Sequence, residues 1–323
     1  MNSETQLWTW LLFGGQLPVQ RAKALLARWD AEGRTLSEIF SQLPNNIASL
    51  ELTPDEARTL HQPPATFSAP PALRWHEPLY PSGLQQLPEK LRPALLFYRG
   101  QLALLSQPII YLPPAPLNDT EQEIAHEVAS LLLDENILPA ALHKSEQAAV
   151  LLEEMTYTEG KSLLFLRQGI TTVTLSELES AFLDAGRLLI VSPLPPDASP
   201  NPAWDRALEA VEFAAAHRCI LTTPGQLQTL PQQGRGDTLL IGEIPDESQQ
   251  QASSVQSKAL PTDILLWLAA QTTAAPAPTA PPSPAPPSEP EPPLRPEDVL
   301  RTLEKGGAVP DVLKARLLGK KDS

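Results

Sequence analysis

Three basic side chains, Lys144, Arg167 and Arg206, stand beside short apolar runs that read as strand ends or the turns after them. Ligands of open α/β sheets meet the carboxyl ends of the strands. An ammonium and two guanidiniums placed there could hold phosphate oxygens by charge-assisted hydrogen bonds. The same three residues also read as isolated surface charges, and spacing does not separate the two readings. Arg99 reads as a structural pairing group at a segment junction. No catalytic constellation accompanies them: the chain has no phosphate-binding P-loop, no G-x-G-x-x-G after a strand, no H-E-x-x-H and no G-x-S-x-G elbow. The histidines (His61, His76, His126, His143 and His217) are scattered without ligand spacing, and His126, near acids, reads as a surface residue. Glu153 and Glu154 are adjacent in a helical pattern, where neighbours diverge by about 100°, so they read as a solvated face. Neither a catalytic residue, a metal nor a cofactor is expected. The single cysteine, Cys219, excludes an intramolecular disulfide and sits in an apolar run, as a small buried hydrophobe would in a reducing cytosol.

Charge argues against an extended nucleic-acid surface. The 323 residues carry a formal net charge of −14. From Leu294 onward there are 7 Lys+Arg against 5 Asp+Glu, and before it 17 against 33. Phosphate binding is driven by counterion release from basic patches, and no basic stripe is visible. A local basic pocket is still compatible with a negative total. No apolar run reaches the roughly 18–20 residues of a membrane span. The apolar stretch 7–13 follows no basic segment, so neither a secretory signal nor membrane association is expected and the cytoplasm is the expected location.

The elements that must position these residues follow from periodicity. Residues 1–62 read as a small domain of four short helices: 7–13; a second opened by Pro18 with Val19, Ala22, Leu25, Leu26 and Trp29 on one face; a third around Leu36, Ile39 and Phe40; and a fourth capped by Thr53 with Pro54 at its first position and Glu56 at its third. The turn Gly14-Gly15-Gln16-Leu17-Pro18 fits either plain packing or a helix-hairpin-helix turn whose amides meet a phosphate. Residues 63–108 read as a proline-punctuated connection. From 109 to 271 short apolar runs alternate with amphipathic helices: strands at 109–112, 137–142, 162–166, 187–191, 218–222 and 238–241, and helices capped at Thr120-x-x-Glu123 and Ser176-x-x-Glu179, with others near 146–155 and 203–216. This order predicts a Rossmann-like α/β domain, its sheet mostly parallel with helices on both faces. Residues 272–296 form a Pro/Ala-rich run that reads as an extended linker, and 297–323 as a short helical tail, too small for its own core.

This layout resembles the DNA-processing protein A (DprA/Smf) family. The entry signature of that family is matched by Tyr80-Pro81, Leu84, Leu87, Pro93, Leu95 and Arg99-Gly100, and the likeness runs over roughly residues 1–245. Gly160, Ser162 and Gly169 fit its G-x-T-I-x-V-L-x-x-G strand and turn, and Trp204 falls where a Phe is expected. The departures lie at the binding loops. Where the family has G-S-R after its first strand, this chain has Pro113-Pro114-Ala115, and proline offers no N–H. The S-G-x-A stretch and the glycines after it are replaced by Ala141-Leu142-His143-Lys144 and Glu146-Gln147-Ala148. Pro193 stands for a Glu, and Ala207-Leu208-Glu209 for R-N-R. Fifteen glycines in 323 residues is below the usual fraction of about 7%, in keeping with lost phosphate cradles.

The resemblance implies a non-enzymatic role in DNA uptake, natural transformation or recombination. It implies contacts with single-stranded DNA and a recombinase, and homodimerisation as an option. The departures imply weakened DNA contacts. An alternative of a different class is an adaptor that has no ligand and works through protein contacts and its tethered tail. A nucleotide-cleaving enzyme is a third class, for which neither a phosphate loop nor a general base can be named.

Overall fold

A computed structural model describes residues 3–14, 17–43, 50–60, 67–229, 237–241, 255–258, 264, 265 and 267. Contacts divide the chain into Met1–Ala269 and Ala270–Ser323. The second unit, with the expected linker and tail, lies outside the described residues, as does part of the Gly14–Pro18 turn.

The helical segment forms as its spacing predicts. Helices α1 (Glu4–Phe13), α3 (Leu36–Gln42) and α4 (Pro54–Thr59) each start on a reciprocal capping box, made by Ser3 with Gln6, Thr35 with Glu38 and Thr53 with Glu56. Helix α2 (Val19–Ala31) follows Pro18 and buries Ala22, Leu25, Leu26 and Trp29.

The expectation that 63–108 is only a connection is corrected. It contributes β1 (Ala72–Arg74), the short helix α5 (Ser82–Gln85) and β2 (Leu95–Gly100). Both strands join the main sheet: β1 pairs antiparallel with β2, and β2 pairs antiparallel with β6 (Leu188–Ser192) in the register Tyr98↔Val191. Leu95, Leu96 and Phe97 must bury an apolar surface that a loop would leave in water. The expected boundary near residue 62 is softened too, because Leu7, Trp8, Leu25 and Trp29 belong to the same buried cluster as Phe97, Ile109 and Leu189. Ring pairs tie the parts together, Trp8 edge-on to Trp75 at 5.4 Å and Phe13 to Phe97 at 6.0 Å.

The remaining elements follow the expected order, β3 (Ile109–Leu112), α6 (Asp119–Asp134), β4 (Leu138–Leu142), α7 (Glu146–Glu154), β5 (Ser162–Phe165), α8 (Glu177–Asp184), β6, α9 (Asp205–Ala215), β7 (Arg218–Leu221) and β8 (Asp237–Ile241), and a further strand that the spacing did not predict, β9 (Val255–Lys258), pairs with β8. Among the described residues the sheet has nine strands in the order β1-β2-β6-β5-β4-β3-β7-β8-β9, and all pairs from β6 to β9 are parallel. Strands β3, β5 and β6 are buried along their whole length, the mark of a sheet covered on both faces. One cap is displaced from its expected place. Helix α6 starts from Asn118 with Glu121, two residues before the Thr120/Glu123 pair, while α8 starts on Ser176 and Glu179 as expected.

The order places a switch point between β3 and β7. From β3 the chain steps outward through β4, β5 and β6, then returns through α9 to the opposite side of β3. Ligands of such sheets bind in the crevice this reversal opens.

Candidate functional site: a crevice closed by its own side chains

At the carboxyl end of β3 the backbone runs into Pro113, Pro114, Ala115 and Pro116, so three of these four residues have no N–H to give. What remains is taken up internally. The Gln147 side chain, 1% exposed near the start of α7, accepts from Ala115 N at 3.2 Å and donates to Ala115 O at 3.1 Å. Glu146 accepts from Leu117 N at 2.7 Å. From the other side Gln226, in the 3₁₀ turn Pro224–Thr229 after β7, donates to Pro113 O. Its amide oxygen accepts from Thr222 N and Thr223 N at 2.8 and 3.1 Å. One primary amide thus joins β3 to β7 across the switch point, with Thr222 Oγ1 buried beside it without a hydrogen-bond partner. A phosphate approaching this edge would meet prolines and amides that already have partners.

Removing the Gln226 amide leaves a carbonyl and two backbone N–H groups without partners in a buried place. Gln226→Ala is expected to cost about 2 kcal/mol, read as a lowered urea midpoint at unchanged slope. An unchanged midpoint would show that the amide does not hold the crevice shut.

Arg167 lies just past β5. Its Nε and Nη2 both donate to the Glu212 carboxylate, at 2.8 Å each, and Tyr111 Oη donates to Glu212 Oε2 at 2.6 Å. Glu209 and Asp205 stand 3.5 and 3.8 Å from the guanidinium. Glu212 is 2% exposed and Tyr111 fully buried, with Phe165 and Phe213 edge-on to the Tyr111 ring at 5.6 and 5.1 Å. Burial lowers the pKa of the Arg167 guanidinium, but the hydrogen bonds and charge of Glu212 outweigh it and hold the net pKa above the ordinary arginine value. Burial, then the adjacent Glu212 charge, pushes the Tyr111 hydroxyl well up, so it remains a donor. Burial likewise raises the Glu209 carboxyl, against the pull of Arg167. Arg167 is therefore the cation of an internal cluster supplied by α9.

Lys144 and Arg206 are placed differently. Lys144 is exposed in the turn after β4, with a left-handed φ of 65°. Arg206 is exposed on the first turn of α9, next to Asp205. Among the described residues no hydrogen bond or ion pair joins Lys144, Arg167 and Arg206 to a common partner.

Beside Lys144 lies a pair that the sequence did not disclose. His143 Nε2 is 3.0 Å from Glu179 Oε1, and the two side chains are 6% and 7% exposed. The other Glu179 oxygen accepts from Ser176 N and Oγ at 2.7 and 2.9 Å. Burial lowers the His143 pKa, helped by Lys144 and opposed by Glu179, so the ring is held neutral as a donor. The Ser176 hydroxyl points to the carboxylate rather than to the imidazole, and no nucleophile–base relay results. The capping box was visible in the sequence, but nothing local marked His143 as its third member. His126, read as a surface residue, is also paired, its Nδ1 2.7 Å from Glu154 Oε1. Among the described residues no group of His, Cys, Asp and Glu could hold a metal ion.

No protein-family model and no curated protein matches the chain. Among solved structures, DNA processing protein A from Streptococcus pneumoniae is similar at a TM-score of 0.55, with 16% identity, over 82% of this chain and 98% of that one. DNA processing protein A from Helicobacter pylori, a structure described for its single-stranded DNA binding mode, scores 0.48 at 11% identity over 59% of this chain and 93% of that one. A molybdenum cofactor binding protein from Rippkaea orientalis scores 0.38 at 13% identity, over 51% and 98%. The chain has the Rossmann-like α/β fold of the pneumococcal protein.

Proposed function

We propose that the protein works in DNA processing as a non-enzymatic, protein-contacting member of this fold type, one that does not hold a nucleic-acid strand in its sheet crevice. The observation that carries the reading is the commitment of Arg167 to Glu212, Glu209 and Asp205. The closure of the β3 loop by Gln147 and Gln226 supports it from the other side of the crevice. A guanidinium with a bidentate buried carboxylate would have to exchange it for a phosphate while leaving the buried Glu212 charge with the Tyr111 hydroxyl but no cation, which is a loss of several kcal/mol. The resemblance in layout and fold supports the DNA-processing setting, and the cytoplasm is the proposed location. Among the described residues no helix is long and apolar enough to cross a membrane.

A second reading keeps direct DNA contact. Lys144 and Arg206 are exposed cations at this end of the molecule, and they would hold single-stranded DNA weakly for delivery to a recombinase.

Fluorescence anisotropy of a labelled oligothymidine separates the two. Non-specific sites bind with Kd of about 10⁻⁴–10⁻⁶ M at physiological salt and more tightly as salt falls. The expected result is no saturable binding even at low ionic strength. Saturable, salt-sensitive binding that is lost in the Lys144→Glu/Arg206→Glu variant would overturn the first reading and establish the second.

A further inference from the structure

Outside the crevice, a groove of about 340 Å³ runs between the α1–α2 region and the start of α9. Its floor is apolar, with Phe13, Leu194, Leu208 and Val211 among its lining residues. Four large apolar side chains are exposed among the described residues, and two of them, Val19 at 44% and Trp204 at 39%, line this groove. Exposed apolar surface gathered in one place marks an interaction site, whereas the same residues scattered singly would not.

The groove carries cationic side chains, of which Lys90 is exposed, Arg92 half-buried and Lys23 buried. Lys23, Lys90 and Arg92 line it, and none of them has an ion pair among the described residues. Lys23 Nζ donates to two backbone carbonyls, Glu89 O at 2.6 Å and Arg92 O at 2.7 Å, not to a carboxylate. Arg92 Nη1 donates to Gln85 O at 3.4 Å and its guanidinium lies 5.4 Å from the Trp75 ring centroid, while its Nε is buried without a hydrogen-bond partner among the described residues. Elsewhere on this acidic chain Arg21, Arg28, Arg34, Arg58 and Arg74 each meet an Asp or Glu. Lys90, exposed, and Arg92, half-buried, therefore stand at one apolar groove without an ion pair among the described residues, in a molecule of charge −14, while the buried Lys23 feels the charge of Glu89.

We propose that this groove docks a protein partner through a short acidic segment carrying a large apolar side chain. The apolar residue sits on the floor against Trp204 and Val19, and its neighbouring carboxylates pair with Lys90 and Arg92. A nucleic-acid strand fits less well. Single strands are held on successive aromatic platforms along a positive groove, and this groove is lined mostly by aliphatic residues, with Phe13 and Trp204 its aromatic side chains. The proposal rests on the protein-contact reading above and gives that reading a surface and a partner chemistry.

A library of random short peptides panned on the full chain, followed by anisotropy titration of labelled winners, tests it. Enriched peptides are expected to combine Asp or Glu with Phe, Leu or Trp. Their affinity should fall about tenfold or more in Lys90→Glu and in Trp204→Ala, in keeping with a buried aromatic anchor, and be largely kept in Trp204→Phe. Both sites are on the surface, and unchanged thermal unfolding would confirm that the variants fold. No enrichment, enrichment of basic peptides, or affinity indifferent to both variants would overturn the proposal. So would displacement of the peptide by oligothymidine with the same dependence on Lys90 and Trp204, which would make the groove a DNA site. Failure of the peptides while oligothymidine stays unbound would remove the groove and leave the closed crevice standing.

Discussion

Replacing Glu212 by leucine is expected to destabilise the protein by about 3 kcal/mol, the lower end of the range for breaking a buried ion pair. The substitution removes the carboxylate that accepts from Arg167 Nε, Arg167 Nη2 and Tyr111 Oη. It leaves a guanidinium with 17% side-chain exposure facing Glu209 at 3.5 Å and Asp205 at 3.8 Å. Those two acids and partial access to water keep the loss from reaching the upper end. Desolvation is the larger part of the penalty, so the paired change Arg167→Met with Glu212→Leu should recover most of the stability, because it removes both charges together. Tyr111→Phe alone should cost about 2 kcal/mol, a single hydrogen bond to a charged group. Urea unfolding of the three variants decides the matter. A double variant as unstable as the single would show that the effect lies in packing around α9 and not in the charge. The same series bears on function: if Arg167 were a phosphate-binding residue, its loss would change oligothymidine binding, and with the crevice closed it should not.

Gly100→Ala is expected to cost on the order of 3 kcal/mol, by a different mechanism. Gly100 ends β2 at a φ of 103°, in the region that favours glycine, and pairs with Leu189 of β6. A Cβ built there would stand 2.3 Å from Leu188 O and 2.9 Å from Leu183 Cδ2. Strand backbone cannot yield as a flexible side chain can, so the end of β2 must leave the ladder. Hydrogen exchange at the Tyr98 and Arg99 amides should accelerate in step with the lost stability. Gly33→Ala is the control, at a φ of 69° with nothing within 4 Å of the added atom, and should cost only about 1 kcal/mol for its left-handed backbone. Equal losses at the two glycines would show that the backbone angle alone matters and that the β2–β6 contact does not. The Arg99-Gly100 pair, noticed in the sequence as part of a signature, thus acquires a physical cause at its second position.

Much of the scaffold could be read without coordinates because its signals are local. A capping box acts over three residues, and those at Thr53/Glu56 and Ser176/Glu179 formed where the sequence placed them. Helix α6 shows the limit of such signals. Asn118-x-x-Glu121 and Thr120-x-x-Glu123 overlap by two residues, and both satisfy the pattern. The choice fell to Asn118, in a chain whose preceding residue, Leu117, gives its N–H to Glu146 from another element. Strands β1 and β2 were hidden for a related reason. Three-residue and six-residue runs among prolines have too few turns of alternation to stand out, and they become strands by pairing with partners far along the chain.

The candidate site divides in the same way. The loss of backbone donors at Pro113, Pro114 and Pro116 is written in the sequence, because proline lacks an N–H wherever it is placed. The lone Cys219, the strand–helix alternation and the negative charge are likewise fixed by residue type and order. What becomes of Arg167 is not: Glu212 is 45 residues away, and the two meet only because α9 carries the chain back across the sheet from β6 to β7. Gln226 meets the Pro113 carbonyl across 113 residues by the same crossover. The sequence by itself determined which backbone donors the loop after β3 lacks. The tertiary structure decided that Arg167 beyond β5 is paired and that Gln147 and Gln226 take up polar groups of the β3 loop, because charge pairing and amide bridging depend on distances that topology alone sets.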